Sequence, residues 1–324
     1  MLEALQDLDA IRLNFSKESL FILNLTLAFI MFGVALEIKI SAFKKLILRP
    51  KPTVIGVISQ FVMLPAVTFI LLAIFRNYIT PTVALGMILV SSCPGGNISN
   101  FISSLAKGNI ELSVSLTAFA TLGAIIMTPL NFAFWGGLYN RLLSKAEASE
   151  LLRPLEIDAS QMFQTVFILL GIPLLIGIFI SHQFPVFTKK IVKPIKTLSV
   201  LIFIGIVVMA FSNNYQYFIE HIYFIFLIVL IHNSVALVTG YSFSSFFGIT
   251  RRERRSVTIE TGIQNSGLGL VLIFNPKIFP DDLHIGGMAF IAAWWGIWHI
   301  LAGLGIAWFW SGIKIPDGKE NQNK

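Results

Sequence analysis

Glu260 sits inside a long apolar stretch, with Gln264 four residues further on and Asn265 beside it. An acid in hydrocarbon is costly unless it faces protein, water or a cation, and such residues mark ion and substrate pathways. Glu260 and Gln264 share one helical face. Together with freed backbone carbonyls they offer the oxygen ligands that a hard cation such as sodium takes. The alternative is an ion pair with Arg254 or Arg255, five or six residues away. That separation is at least ~7.5 Å of ideal helix, so such a pair needs a bend or a long reach.

A second set of oxygens comes from Ser99 and Asn100, and from Ser113 and Thr117, which are spaced four apart. Uncharged hydroxyl and amide oxygens around one carboxylate suit a monovalent ion, because the occupied site stays close to neutral. Magnesium or calcium would draw on more carboxylates and waters. The competing reading of Ser113 and Thr117 is that their hydroxyls bond helix carbonyls. Asn97, Asn265 and Thr261, next to the open backbone of Pro94 and Gly95, are candidates for the substrate end of a cavity. Half-helix N-termini and amide donors there suit a carboxylate or sulfonate.

The elements that position these residues are membrane helices. Of the 324 residues 55% are hydrophobic and 13% charged, with a mean hydropathy of +0.78, far from soluble-domain averages. Apolar runs long enough to cross a bilayer give an all-α polytopic protein with nine expected spans, near 19–38, 52–75, 80–106, 109–138, 159–181, 197–213, 217–246, 254–275 and 285–311. Met1 to Glu18 lacks the basic front end of a secretory signal, so the first apolar run is expected to remain as a span. Loops on one side, with the C-terminal tail, hold 17 of the Lys and Arg residues and the other side holds 7. The positive-inside bias then places the N-terminus outside and the C-terminus in the cytoplasm of a plasma or bacterial inner membrane. Arg251, Arg252, Arg254 and Arg255 fit the same rule and phospholipid headgroups better than substrate capture.

Two spans break near their middle, at Ser91 to Asn100 and at Glu260 to Gly267. Proline and paired glycines interrupt the first and open its backbone. The two spans run in opposite directions, which fits an inverted repeat with discontinuous helices crossing near the midplane. The expected halves are 1–139, with spans one to four, and 159–313, with spans five to nine. An external connection, 140–158, joins them, and 314–324 forms a cytoplasmic tail. Pro65, Pro129 and Pro173 are possible bends, and Asn131, His232, Asn233 and His299 possible interhelical hydrogen-bonding residues.

Cys93 is the single cysteine, which rules out an intramolecular disulfide. The formal charge of +7 resides in loops beside spans, so nucleic acid is not an expected partner. The lack of a Walker A loop, dinucleotide fingerprint or paired metal-ligand motif argues against an ATP-driven pump or a metalloenzyme, and no cofactor is expected. The chain reads as a transporter and not an enzyme.

The run Cys93-Pro94-Gly95-Gly96-Asn97-Ile98-Ser99-Asn100, followed by Leu105-Ala106-Lys107-Gly108-Asn109 and Leu112-Ser113-Val114, resembles the bile acid:sodium symporter family, as does Glu260-Thr261-Gly262-Ile263-Gln264-Asn265. The resemblance covers almost the whole chain. It implies a panel domain, a core domain with the two broken helices, and two sodium ions as coupling ions. Ser99, Asn100, Ser113, Thr117 and Glu260 would form the first sodium site. Glu260 and Gln264, backbone oxygens near Thr261 and Ile263, and Gln60 would form the second. Asn265 would lie on the substrate side near Asn97. The layout is similar to the nine-span animal members, but substrate preference does not follow from these motifs. The implied activity is sodium-coupled import of a bile-acid-like or smaller organic anion, by a functional monomer in membrane lipid. A passive channel, an ion-modulated receptor and a proton-coupled carrier are the rivals.

Overall fold

The structure is a computed structural model that describes residues 2–10, 17–38, 50–96, 98–144, 158–213, 215–279 and 283–313. Its regular elements are helices: α1 (Leu2–Ala10), α2 (Lys17–Glu37), α3 (Pro50–Ile74), α4 (Pro81–Ser92), α5 (Ile98–Leu105), α6 (Ile110–Ser144), α7 (Ala159–Gln183), α8 (Pro185–Asn213), α9 (Tyr215–Phe246), α10 (Arg251–Gly262), α11 (Ser266–Ile273) and α12 (Gly286–Gly312). Asn97, the stretch 145–157 and the tail 314–324 lie outside the described residues.

The boundaries follow local chemistry. Pro81 opens α4 after an extended Thr80, and Pro94, which has no N–H to give, stops it with Cys93 extended. Thr250 and Glu253 form a reciprocal capping box at the start of α10. The chain enters it through Gly248, whose φ of +64° suits glycine. Asp158 caps α7, its Oδ1 accepting from the N–H groups of Ser160 at 2.8 Å and Gln161 at 3.1 Å.

Two helices carry a wide π turn, Ser59–Met63 in α3 and Phe167–Gly171 in α7. Each stands just before a proline, Pro65 or Pro173. The missing N–H and the bulky ring push the preceding turn into the wider register. Pro65 and Pro173 therefore act by rotating one turn, and in α3 the rotated turn carries Ser59 and Gln60, whereas Pro129 sits inside the continuous α6.

Helix α2 packs along α7 and α8, forming one three-helix group. In the other group α9 lies along α10, α4 along α12, and α6 against α3, α4, α5 and α10. The groups meet where α6 faces α7 and α11 faces α2. Large apolar residues such as Phe21, Ile74, Phe134, Phe179, Val238 and Trp308 stay exposed on the outside, as expected of helices bathed by lipid.

Among the described residues five helices are long and apolar enough to cross a membrane: α3, α6, α7, most of α9 and α12. The other four of the nine expected spans do not meet that measure as single helices among the described residues. The apolar runs at 80–106 and 254–275 are each split into two helices of at most 12 residues, too short to cross alone. In α2 only Asn24–Glu37 counts as a shorter apolar helix. Helix α8 begins at Pro185, so Lys189, Lys190, Lys193 and Lys196 lie on its first turns and not in a loop. Proline favours a helix's first position and lysine is a good helix former. Helix α1 was not expected: it is short and acidic, but Leu5 and Leu8 are fully buried against the second group.

Candidate functional site

The two breaks meet. Gly95 and Gln264 form an antiparallel bridge. On either side Gly96 N–H donates to Ile263 O at 2.7 Å, and Asn265 N–H donates to Pro94 O at 2.8 Å. Backbone groups freed by interrupting α4–α5 are thus satisfied by groups freed from α10–α11, which hydrocarbon otherwise penalises heavily.

Glu260 lies in the last turn of α10 and is buried. Its Oε2 accepts from Ser99 Oγ at 2.5 Å, and Thr117 Oγ1 lies 3.0 Å from both carboxylate oxygens. Thr117 Oγ1 is also 3.2 Å from Asn100 Oδ1 and 3.0 Å from Ser113 O. Ser113 Oγ donates to Asn100 Oδ1 at 2.9 Å or to Ser103 Oγ at 3.1 Å. One hydroxyl proton cannot serve all the acceptors around Thr117. The cluster is therefore rich in oxygen and short of protons, the composition that a cation complements. Thr117 reaches a helix carbonyl, as the competing reading expects, and also the carboxylate, whereas the Ser113 hydroxyl reaches Asn100 and Ser103.

Arg255 does not neutralise Glu260. Its Nη1 donates to Ala106 O at 2.6 Å and its guanidinium sits 5.6 Å from the Trp310 ring centroid. Arg254 lies over Tyr241 at 5.4 Å. Among the described residues the hydrogen-bond partners of the Glu260 carboxylate are hydroxyls.

A second buried cluster surrounds Gln264. Its Nε2 donates to Thr261 O at 2.7 Å and to Gln60 Oε1 at 3.2 Å. Gln60 Nε2 in turn reaches Gln264 Oε1 at 2.8 Å and Cys93 O at 2.9 Å. Ser59 Oγ lies 2.8 Å from Thr261 Oγ1, and Asn233 Nδ2 donates to Gly262 O at 2.7 Å. The three carbonyls that end α10 thus take three separate amides, from Gln264, Asn233 and Gly96. Gln264 lies beyond the end of α10, in the bridge to Gly95, and so does not share a helical face with Glu260; the Glu260 carboxylate bonds hydroxyls of α5 and α6, and the Gln264 amide bonds Thr261 O and Gln60.

The remaining candidates divide. Pro94 and Gly95 are at the crossing. Asn265 caps α11, its Oδ1 accepting from Leu268 N–H at 3.1 Å, so its oxygen is committed locally. Asn97 lies outside the described residues. His232 Nε2 is 2.8 Å from Thr68 Oγ1 and its ring lies 4.7 Å from that of Trp295, tying α3, α9 and α12 together. His299 is buried within α12. Ser59 and Ser103 were not singled out from the sequence. The Ser59-Gln60 pair shortly before a membrane proline was the available signal for the first.

A cavity of about 590 Å³ opens between the two helix groups. One wall is formed by α5 and α6, including Asn100, Val114 and Thr117. The other comes from the end of α2, the end of α7 and the start of α8. Asn100 and Thr117 therefore belong both to the Glu260 network and to the cavity wall.

A family profile described as the sodium bile acid symporter family matches residues 24–221. The chain is 30% identical over 305 residues to the uncharacterized sodium-dependent transporter YocS of Bacillus subtilis, covering 92% of this chain and 87% of that one. It is 27% identical over 268 residues to the human ileal sodium/bile acid cotransporter, covering 82% and 72%. It is also 29% identical over 263 residues to the human P3 protein, where 80% of this chain spans only 52% of the relative.

Proposed function

The chain belongs to the sodium bile acid symporter family, and from that premise we propose that it imports an organic anion together with sodium by alternating access. The observation that carries this reading is Glu260, buried among hydroxyl and amide oxygens where two broken helices cross. A carboxylate so placed is kept in the membrane because a cation joins it during the working cycle.

The first ion would take Glu260, Ser99, Asn100, Ser113 and Thr117, with the hydroxyl protons turned outward. The second would take Glu260, Gln264, Gln60 and carbonyls of Thr261 and Ile263, once the amide of Gln264 turns its oxygen toward the cation. Gly262 O is already held by Asn233. Two sodium ions entering with one monoanion carry one net charge, worth about 2.3 kcal/mol per 100 mV. Helices α2, α7 and α8 would form the panel and the rest the core. The nine-span count, with α4–α5 and α10–α11 as one span each, the halves 1–139 and 159–313, and the N-out, C-in orientation of a plasma or bacterial inner membrane protein complete the reading. On that orientation the cavity opens to the cytoplasm. Both ion clusters are built within one chain, which supports a monomeric working unit.

The test is uptake into proteoliposomes under an imposed sodium gradient, with cholate and smaller carboxylates as probes. Wild-type protein should accumulate anion only with inward sodium, and Glu260→Ala should not. Accumulation driven by a pH gradient without sodium, or mere equilibration, would assign the chain to a proton-coupled carrier or a passive channel.

A further inference from the structure

The cavity walls differ in what they leave open for a ligand. On the panel side Ser181 Oγ donates to Leu36 O at 3.1 Å and Thr188 Oγ1 to Ile180 O at 3.3 Å, so both hydroxyl protons are spent on helix carbonyls. Glu37 has a partner of its own. Lys189, on the same wall, has neither a hydrogen bond nor an ion pair among the described residues. On the core side Asn100 uses its oxygen inward, accepting from Ser113 and lying 3.2 Å from the Thr117 hydroxyl, and that hydroxyl also lies against Glu260. Between the polar points the lining is aliphatic, with Val34, Val114, Ala118 and Val192.

We propose that Lys189 holds the acid group of the transported anion on the panel wall, across the cavity from the sodium network. The proposal rests on the symporter reading and deepens it by naming where the charge is recognised. An ammonium with three donors and no hydrogen-bond partner among the described residues is the complement of a carboxylate or sulfonate, and the aliphatic lining suits an apolar body behind it. The favoured cargo is then an amphipathic monoanion: its acid faces α8 while its other end reaches the amide of Asn100. Sodium and cargo charge are thus held on opposite helix groups. The cargo contributes to closing the two groups upon each other, and loading with sodium alone leaves the panel's cation unmatched.

The experiment measures uptake and equilibrium binding in proteoliposomes for three acids of increasing size, hexanoate, indole-3-acetate and cholate, each beside its neutral primary amide. Lys189→Gln should raise the KM of the accepted acids about tenfold, in line with losing one partly screened charged hydrogen bond. The half-saturating sodium concentration and any binding of the amides should be unchanged. Lys189→Arg should restore the acid, and Lys189→Glu should weaken it further. Lys189 is exposed, so these variants keep the fold. Sodium-driven uptake with the same acid KM in wild type and Lys189→Gln overturns the role of Lys189 alone. Failure of wild-type protein to bind or accumulate any of the acids overturns the symporter reading of this cavity and this proposal with it.

Discussion

The carboxylate of Glu260 rests against the backbone of Gly95, so close that a β-carbon on Gly95 would overlap its Oε1. The acid on one broken helix is therefore seated by the glycine at the break of the other. Gly95→Ala should push the carboxylate away from Ser99 and Thr117 and weaken sodium binding at least tenfold, while membrane insertion is retained. Sodium titration of thermal stability checks it, and unaltered sodium affinity would place the ion elsewhere.

Thr117 is the hydroxyl that reaches both carboxylate oxygens. Thr117→Val keeps the shape and removes the oxygen, leaving a buried acid with one fewer partner, a loss of about 1–3 kcal/mol. Sodium affinity should fall roughly tenfold or more, and Thr117→Ser should restore most of it. Equal sodium dependence in the Val and Ser variants would mean that Thr117 only packs.

Gln60 and Gln264 exchange amide hydrogen bonds across 204 positions of sequence. Gln60→Leu and Gln264→Leu should therefore be strongly non-additive. A double-mutant cycle on unfolding or sodium affinity is expected to give a coupling of about 0.5–3 kcal/mol. Additivity would show that the pair is not formed in the membrane.

Asn233 is the donor to Gly262 O. Asn233→Leu leaves that buried carbonyl unpaired and should cost about 1–3 kcal/mol of stability. Its effect on sodium affinity should be smaller than that of Gln264→Leu, because the carbonyl it holds is not among the proposed ion ligands. The comparison of unfolding with sodium titration separates the two.

Asp9 links α1 to the start of α4, accepting from Thr80 Oγ1 at 3.0 Å and from Thr82 Oγ1. Burial pushes its carboxyl up from 3.8 to about 6, against the opposing pull of the Thr82 and Thr80 hydroxyls and of His284. Between those values docked α1 holds more proton than undocked α1, so docking weakens as pH rises through that window. The contribution is complete below the undocked value and gone above the docked one. Amide exchange in α1, corrected for its intrinsic rate, should be slower at pH 5 than at pH 7.5, and Asp9→Asn should flatten the difference. An unchanged pH response in the variant would assign it to another group.

Much of what the apolar composition encodes was legible. The apolar runs located α3, α6, α7, α9 and α12 closely, because a helix in lipid must be apolar over its whole length. Glu260, Gln264 and the Ser99–Thr117 set stood out because polar side chains are conspicuous there. The wide turn that presents Ser59 and Gln60 was hidden, since proline marks a bend without saying how far the preceding turn rotates. The amide at Gln264 had an expected neighbour, but its bonds to Thr261 O and Gln60 depend on two backbone paths that no local pattern specifies. Helix α1 escaped notice because three leucines in nine residues carry little signal until α4, α9 and α12 bury two of them.

The pairing of Gly96 with Ile263 also has a bearing on how the chain is made, because the partners are 167 residues apart in sequence. At roughly 5–20 residues per second of synthesis, the first interrupted helix waits on the order of ten seconds or more before its counterpart leaves the ribosome. Throughout that interval its open carbonyl and amide groups have to be sheltered from lipid by water, the insertion machinery or neighbouring helices. Truncation before residue 263 should therefore yield a nascent protein that stays with the translocon and is cleared by quality control, even though every helix before that point is already complete.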